Sequence, residues 1–544
     1  MDDKIIVTNL SALKAKYKSA GTTKIKTAVT SLIAADKKRG LTTRLINIDD
    51  AQAMKKVDGT AVTNAKDARQ NKRAIDAVFK KLRPDYLLIL GSIDVIPHQD
   101  MKNPVFEPGD DDDEFAFGDL PYACEKAYSR KPEDFVGPTR VVGRLPDHVG
   151  DTDPAYLIGL LKTAANFKSR PIADYDGYFA ISAARWEGST RLSLDNMFGF
   201  NDKLNLSPKK GPSWTAPALS KKLHFINCHG APVSTTFLGQ KRKGQPGEEF
   251  PISHNASLLK GKIVEGTVAA VECCYGAEQF DPFMFSNGQM GIAGEYLAGK
   301  AYGFFGSSTI AYGPADDNGA ADLICQFFLK HVMEGASLGR AALEARQEFA
   351  ESSSNLDPVD LKTIAQFYLL GDPSVVPIKV SSPHLVATPK PKSKPKTKTK
   401  SKSTGAPDAK TIERGERRMQ LHTKGLWLGK NQACAVSDAK KSVSGTIQAT
   451  MEKIATKLKM KHATFLSFAI KNKQPAGATL AKSMSATAFH VMAGSDEKKV
   501  AAKSAKGALT KSMPAPPAIN AGVCIVAKEV NGNIVSYREL HRKL

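Results

Sequence analysis

Short apolar runs alternate with amphipathic stretches over the first 310 residues of the chain. The runs are rich in β-branched and aromatic residues: "KIIVTNL", "TTRLINI", "DYLLILGSIDVIP", "TRVVGRLP", "GYFAISA", "LHFINCHG", "TVAAVECC" and "AYGFFGSST". Between several of them lie helical patterns such as "AKDARQNKRAIDAVFKKLR" and "PAYLIGLLKTAANF". Continuous apolar strands separated by helices are typical of an α/β fold in which a mostly parallel sheet is covered by helices on both faces. The pattern therefore predicts one large α/β unit.

This pattern stops at the segment "PKPKSKPKTKTKSKSTGAPDA", which cannot bury apolar surface and is typical of an extended, self-repelling linker. Beyond it come a helical pattern, "GTIQATMEKIATKLKM", and a hairpin, "GVCIVAKEVNGNIVSYREL", that turns at Asn-Gly. At 544 residues the chain is also too long for a single core. We predict a large α/β domain over residues 1–388, a flexible basic linker over 389–409 and a small basic α+β domain over 410–544.

The net charge of +22 belongs to the C-terminal third of the chain. Residues 390–402 contribute seven lysines and no acid, residues 406–544 carry a net charge of +15, and residues 1–389 are close to neutral. Two interpretations stay open. Residues 390–544 could contact nucleic-acid phosphates or another polyanion, or they could be a solvated linker followed by a basic interaction module.

Seven scattered cysteines without paired CxxC spacing indicate neither a disulfide scaffold nor a zinc site. The first residues, "MDDKIIVTNL", begin acidic and do not resemble a secretory signal, and no apolar stretch is long enough to cross a membrane. We therefore expect a cytoplasmic protein with no membrane contact.

Two of the apolar runs end abruptly in reactive residues, His229 in "HFINCHG" and Cys273-Cys274 in "VAAVECCYGA". In parallel sheets, ligands and catalytic groups collect at the carboxyl ends of strands. A thiol attacks a carbonyl only as a thiolate, so a neighbouring imidazole could serve as its base. A glycine follows each reactive residue closely, where backbone N–H groups could face an oxyanion. A buried cysteine beside a structural histidine would give a similar pattern.

These residues resemble the His-Gly and Cys motifs of caspase-like cysteine peptidases. The segments "YLLILGSIDVIP", "DDEFAFGDL" leading to "RVVGRLP", "IAGEYLAGKAYGFFGSST" and "FYLLGDPSVVP" are similar, in that order, to the gingipain-type peptidase domain, over roughly residues 80 to 380. The resemblance implies a caspase-like fold with His229 as the general base or as the partner of a thiolate. It also implies an oxyanion hole formed by the backbone N–H groups of Gly230 and of the nucleophile.

The resemblance leaves two candidates for the nucleophile. The metacaspase arrangement, an acid followed by two cysteines, favours Cys274, whereas a Cys-x-x-Gly frame favours Cys273. Adjacent side chains on a strand point to opposite faces, so only one of the two thiols can face the cleft. We take Cys274 as the nucleophile and Cys273 as the alternative, and we expect Cys228 to point into the sheet.

An acidic loop, "GDDDDEFAFGD", concentrates carboxylates between residues 109 and 119. It could bind Ca²⁺, line a pocket for a basic substrate side chain, or simply be a solvated loop. Apart from this calcium option, we expect no metal and no cofactor.

By the same resemblance, the segment "GFFGSSTIAYGPADDNG", residues 303–319, follows the strand that lines the substrate pocket in caspase-like folds. Ser307, Ser308 and Thr309 are therefore candidate pocket walls, and Asp316 or Asp317 is a candidate specificity residue. We expect "GDPSVVP", residues 371–377, to be a structural turn in which Asp372 is not catalytic.

The sequence thus favours a cysteine endopeptidase that hydrolyses a protein substrate through a Cys-His dyad and an acyl-enzyme. We expect it to be gated by a regulatory protein partner or by its own C-terminal domain, and a bacterial signalling or defence pathway is one setting consistent with this architecture. The alternative is a non-enzymatic caspase-like scaffold joined to a basic nucleic-acid-binding domain.

Overall fold

The structure is a computed structural model that describes residues 2–380, 409–471, 487–495 and 522–543. The predicted linker, residues 389–409, lies outside these ranges except for its last residue. In chain order the strands are β1 (Lys4–Thr8), β2 (Thr43–Asn47), β3 (Tyr86–Leu90), β4 (Gln99–Lys102), β5 (Phe115–Gly118), β6 (Val142–Leu145), β7 (Arg170–Pro171), β8 (Phe179–Ala183), β9 (Leu204–Ser207), β10 (Leu223–Asn227), β11 (Thr236–Leu238), β12 (Ile252–Asn255), β13 (Val268–Val271), β14 (Gly303–Ser307), β15 (Tyr312–Gly313), β16 (Asn355–Leu356), β17 (Phe367–Gly371), β18 (Ile378–Lys379), β19 (Ala433–Lys440), β20 (Lys461–Lys471), β21 (Thr487–Ser495), β22 (Gly522–Val530) and β23 (Asn533–Arg542).

The α-helices are α1 (Leu10–Lys38), α2 (Ala51–Lys55), α3 (Ala68–Leu82), α4 (Ala155–Asn166), α5 (Glu187–Phe198), α6 (Ala216–Leu219), α7 (Ala256–Leu259), α8 (Pro282–Phe285), α9 (Ile292–Ala298), α10 (Ala321–Met333), α11 (Leu338–Glu351), α12 (Pro358–Gln366), α13 (Ala409–Asn431) and α14 (Gly445–Lys457). Among the described residues, no helix is both long and apolar enough to cross a membrane.

Ten strands form the central sheet, in the order β2-β1-β3-β6-β17-β14-β13-β10-β8-β9. Every neighbouring pair is parallel except β14 and β17, which are antiparallel. The sheet therefore consists of two parallel halves that run in opposite directions and meet at this junction. Helices α10, α11 and α12 pack on one face, and α1, α4 and α9 contribute to the apolar core that includes the other. The predicted mostly parallel α/β sheet with helices on both faces is confirmed.

The C-terminal residues form a second sheet, in the order β15-β23-β22-β21-β20-β19-β16. Strands β22 and β23 form the predicted hairpin, and its Asn531-Gly532 turn has positive φ at both residues (53° and 83°), as a tight two-residue turn requires. The two edge strands, β15 and β16, come from the large unit. The predicted small α+β domain thus shares its sheet with the large unit, which covers both of its edges.

Helix α13 brings basic side chains against acidic residues of the large unit. Arg414 and Arg418 both bind Asp85, at 2.6 and 2.8 Å, and Lys424 Nζ lies 2.7 Å from Glu351. Part of the positive charge of the C-terminal third is therefore neutralised within the chain.

A buried ion cluster joins β1 to the turn after β17. Lys4 Nζ lies 3.0 Å from Asp36 and 3.1 Å from the Ser374 hydroxyl, and it also binds Asp372. The charged side chains of Lys4, Asp36 and Asp372 are at most 1% exposed. Asp372, in the "GDPSVVP" turn, therefore has a structural partner.

We expect Lys4→Met to destabilise the fold by about 3 kcal/mol, because it leaves two buried carboxylates without their cation. Thermal unfolding of wild type and variant measures the effect. Lys38→Met is the matched control, since Lys38 is exposed at the end of α1 and its substitution should cost less than about 0.5 kcal/mol. Equal melting temperatures for Lys4→Met and Lys38→Met would contradict this account.

Candidate active site

The site begins where β10 and β13 end. These strands are parallel neighbours, with Leu223 opposite Val268 and Ile226 opposite Val271. The Glu272 N–H extends the pairing by donating to the Ile226 carbonyl at 2.9 Å. The Cys228-His229-Gly230 and Glu272-Cys273-Cys274 segments consequently lie side by side at one edge of the sheet.

Side-chain alternation separates the two adjacent thiols. Cys273 and Cys228 are buried in the apolar core that contains Ile226 and Val271, whereas Cys274 is buried in the other core, with Phe225. As expected, Cys228 points into the sheet. Of Cys228, Cys273 and Cys274, only Cys274 is buried in the core that also contains residues of α10.

A close backbone approach fixes the relation between the two strand ends. A Cβ atom at Gly230 would collide with the carbonyl oxygen of Cys274 and would lie 3.3 Å from the Cys273 Cβ. Glycine after His229 therefore allows the two segments to touch. The tight turn that follows Cys274 places Tyr275 at a φ of 52°.

Lys543, from the segment that follows β23, occupies this edge of the sheet. Its carbonyl oxygen accepts hydrogen bonds from the backbone N–H groups of Gly230, at 2.9 Å, and Cys274, at 3.2 Å. Its own N–H donates to the Ala311 carbonyl at 3.0 Å. Two N–H groups that converge on one carbonyl oxygen form the geometry of an oxyanion hole.

The Lys543 side chain extends into a buried acidic pocket. Its Nζ lies 2.8 Å from Asn227 Oδ1 and 3.3 Å from Asp322 Oδ1, and it also binds Glu272. The ammonium lies 5.4 Å from the centre of the Trp186 ring. Asn227 is the last residue of β10, Glu272 directly follows β13, and Asp322 is in the first turn of α10.

The charges of this pocket depend on one another. Burial lowers the pKa of Lys543, but the carboxylates of Asp322 and Glu272 outweigh burial and raise it overall. Burial and the neighbouring Asp322 raise the pKa of Glu272 well above its usual range, against the opposing effect of Lys543. Two carboxylates this close and this deep require a cation between them.

His229 is 1% exposed and held on several sides. Its backbone exchanges two hydrogen bonds of 2.8 Å with Leu238, and its Nε2 lies 3.1 Å from Gln240 Oε1. Its ring centre lies 4.3 Å from that of Trp186 and 5.2 Å from that of Phe250. If Nε2–H donates to the Gln240 oxygen, Nδ1 is the basic nitrogen of the neutral ring.

The Cys274 thiol is fully buried. Its Sγ lies 3.1 Å from the Ala311 N–H nitrogen and 3.4 Å from the Ala311 carbonyl oxygen. Burial raises the pKa of Cys274 to about 12, although the Ala311 N–H and Lys362 act in the opposite direction. With Lys543 in place, the thiol is protonated at neutral pH.

The acidic loop supports the site from below rather than binding Lys543. Asp113 accepts hydrogen bonds from the Tyr275 hydroxyl at 2.8 Å and from the Ile310 N–H at 2.7 Å. Asp111 pairs with Lys362 and accepts from the Tyr312 hydroxyl at 2.9 Å. Asp113 thus holds the turn after Cys274, and both carboxylates hold the segment around Ala311 that pairs with Lys543. Within the described ranges, no group of three or more His, Cys, Asp or Glu side chains could hold a metal ion.

The other predicted pocket residues have different contacts. The Ser307 hydroxyl donates to the Cys273 carbonyl at 2.7 Å, Ser308 bonds to the Phe117 carbonyl, and Thr309 bonds to Gln366. These side chains pack the strand ends together and do not contact Lys543. Asp316 is exposed, beside Gly188, and Asp317 is exposed too.

Sequence reasoning missed the residues that hold the Lys543 ammonium. Glu272 carried a usable signal, because an acidic residue at the end of a continuous buried strand needs a partner. Asn227 carried a similar signal, because it is a polar residue at the end of the buried strand β10. Asp322 looks like an ordinary acid in the first turn of a helix, and Lys543 is one of 77 basic residues, so neither stands out in one dimension.

Comparisons with known proteins add little to this geometry. No family model matches the chain, and no curated protein matches it in sequence. A solved structure described as "Structure of Protease" is similar over 90% of this chain and 94% of its own, at 14% identity and a TM-score of 0.44. Separase from Saccharomyces cerevisiae, in a complex with securin, is similar over 44% of this chain and 14% of its own, at 12% identity and a TM-score of 0.27. At TM-scores this low, these likenesses carry no weight for the function.

Proposed function

We propose that this chain is a caspase-like cysteine endopeptidase that cleaves its protein substrate after a lysine residue. One observation carries the proposal: the Lys543 carbonyl receives two backbone N–H groups while the Lys543 ammonium is held by two buried carboxylates. A peptide segment bound in this way presents its carbonyl carbon beside Cys274. The acidic pocket then selects the residue that precedes the broken bond.

In this proposal Cys274 is the nucleophile and His229 the general base. His229 takes the thiol proton, the thiolate attacks the carbonyl carbon, and the N–H groups of Gly230 and Cys274 stabilise the oxyanion. The C–N bond breaks as His229 returns the proton to the leaving amine, and a thioester remains. Water then attacks the thioester with His229 as base, which releases the peptide acid and the free thiol.

Layer placement favours Cys274 over Cys273. Cys274 and Glu272 are two residues apart, on the side of the sheet that faces α10, and the Cys274 N–H contacts the Lys543 carbonyl. Cys273 is on the opposite side, in the core with Cys228 and Tyr296.

We expect a peptidyl acyloxymethyl ketone ending in Lys to label the chain covalently. Labelling should be lost in Cys274→Ala, strongly reduced in His229→Ala and retained in Cys273→Ala, which is the matched control. Intact mass measures the adduct. Each variant is tested alone and combined with Lys543→Glu. The second substitution prevents Lys543 from blocking the cleft, so that a reactive thiol is not missed.

Labelling that persists without Cys274, or that is absent even with Lys543→Glu, would exclude the proposed mechanism. Loss of labelling in Cys273→Ala alone would assign the nucleophile to Cys273 instead.

In chains that also carry Lys543→Ala, so that release of Lys543 does not offset the effect, we expect Glu272→Gln to lower kcat/KM for a substrate with Lys before the cleaved bond by at least about 30-fold, since breaking one partner of a buried charge pair costs roughly 2 kcal/mol or more. Hydrolysis of the matched norleucine substrate should fall much less. Asp316→Asn is the control, because Asp316 is an exposed acid in the segment before α10. An unchanged Lys-to-norleucine ratio in Glu272→Gln would disprove the assignment of the pocket.

The nucleic-acid partner predicted for residues 390–544 stays a prediction. The seven lysines of 390–402 lie outside the described residues, and arginines of α13 bind carboxylates of the large unit. The contacts of the Lys543 carbonyl and ammonium favour the peptidase over the non-enzymatic scaffold.

A further inference from the structure

We propose that the end of β23 and Lys543 form a built-in inhibitor, which closes the cleft by binding as a substrate would. The inference rests on the proposed function for the nature of the cleft. It goes beyond that function because it assigns a regulatory role to a particular segment of this chain.

The segment binds by adding a strand to an edge of the large unit. Tyr312 and Gly313 of β15 pair in antiparallel fashion with Arg542 and His541 of β23. The Lys543 N–H continues this ladder to the Ala311 carbonyl. Main-chain pairing along an edge strand, with one side chain in a pocket, is a general mode of peptide recognition.

The inhibitory segment is also anchored by its own side chains. Arg538 binds Asp357 and Asp360, the latter at 2.9 Å, at the start of α12. Arg542 is 4% exposed and lies 3.7 Å from Asp110. Because Arg538 and Arg542 belong to β23, which also pairs with β22 of the second sheet, a folded unit delivers the segment to the cleft.

While the segment is bound, the Cys274 thiol is inaccessible to a substrate. Lys543 and Cys274 are both fully buried, and His229 is 1% exposed. A substrate can reach them only after the segment leaves. The tether between the cleft and its occupant raises the effective concentration of that occupant, so a free peptide competes poorly.

The charges of the acidic pocket make Lys543 the contact on which binding of the segment depends. Withdrawal of the Lys543 ammonium leaves Glu272 and Asp322 facing each other in a buried space. A carboxylate in place of that ammonium would add a third negative charge, whereas a guanidinium would keep the pairing.

The test compares full-length wild type with Lys543→Glu, Lys543→Ala and Lys543→Arg. Lys453→Glu is the matched control, because Lys453 is an exposed lysine on α14 in the same C-terminal part. Two rates are measured for each: alkylation of Cys274 by iodoacetamide, mapped by fragment-ion mass spectrometry, and hydrolysis of a peptide ending in Lys-aminomethylcoumarin.

Alkylation requires a thiol that is accessible and can ionise but needs no peptidase activity, so it reports release of the segment even if the chain is not a peptidase. We expect Lys543→Glu and Lys543→Ala to increase both rates by at least about tenfold, which corresponds to roughly 1.4 kcal/mol. Lys543→Arg and Lys453→Glu should remain at the wild-type rates. The buried Cys325 and Cys434 should stay unreactive in every variant, which shows that the fold is intact.

Faster alkylation without hydrolysis would support the inhibitory segment and count against the peptidase. Equal alkylation of Cys274 in wild type, Lys543→Glu and Lys543→Ala would overturn the inhibitor. If Lys543→Glu exposes Cys325, the comparison rests on Lys543→Ala and wild type, and equal alkylation rates in those two would overturn the inhibitor as well.

Discussion

The register between β10 and β13 is the constraint on which the site depends. Because the strands are parallel neighbours, their carboxyl ends meet at one edge, and side-chain alternation assigns each residue to a layer. Asn227, Glu272 and Cys274 thereby share the layer next to α5 and α10, while Cys228 and Cys273 enter the opposite core. A slip of one residue in β13 would exchange the two thiols and move Glu272 away from Asp322. The close contact between Gly230 and the Cys274 carbonyl opposes such a slip, since it fits only one alignment.

The acidic pocket adds a second, electrostatic requirement. Burying two carboxylates is costly, and only a cation that also satisfies Asn227 offsets the cost. Shape and charge therefore select in the same direction: a neutral side chain would leave the carboxylates unpaired, and an acidic one would be repelled. The same feature explains why a strand from a distant part of the chain can dock there so deeply.

The sequence predicted the features that depend on local burial, but it did not predict contacts between residues far apart in the chain. Continuous apolar runs marked the central strands, and their abrupt polar ends marked His229 and the two cysteines. The antiparallel junction of β14 and β17 could not be predicted, because a strand has the same one-dimensional pattern in either direction. Asp111 and Asp113 looked like members of a solvated loop, since Lys362 lies some 250 residues away. Strands β15 and β16 have two residues each, too short for any periodicity.

The order of the elements along the chain has a consequence for biosynthesis. Every residue that lines the cleft precedes residue 380, whereas its occupant, Lys543, is made last among the described residues. At translation rates of roughly 5–20 residues per second, the intervening segment takes about 10–30 s to appear. A nascent chain therefore passes through an interval in which the large unit has been synthesised but the edges of β15 and β16 and the acidic pocket have no partner. Folding of the second sheet ends that interval, so the rate at which the C-terminal strands assemble sets how long each new molecule remains uncovered.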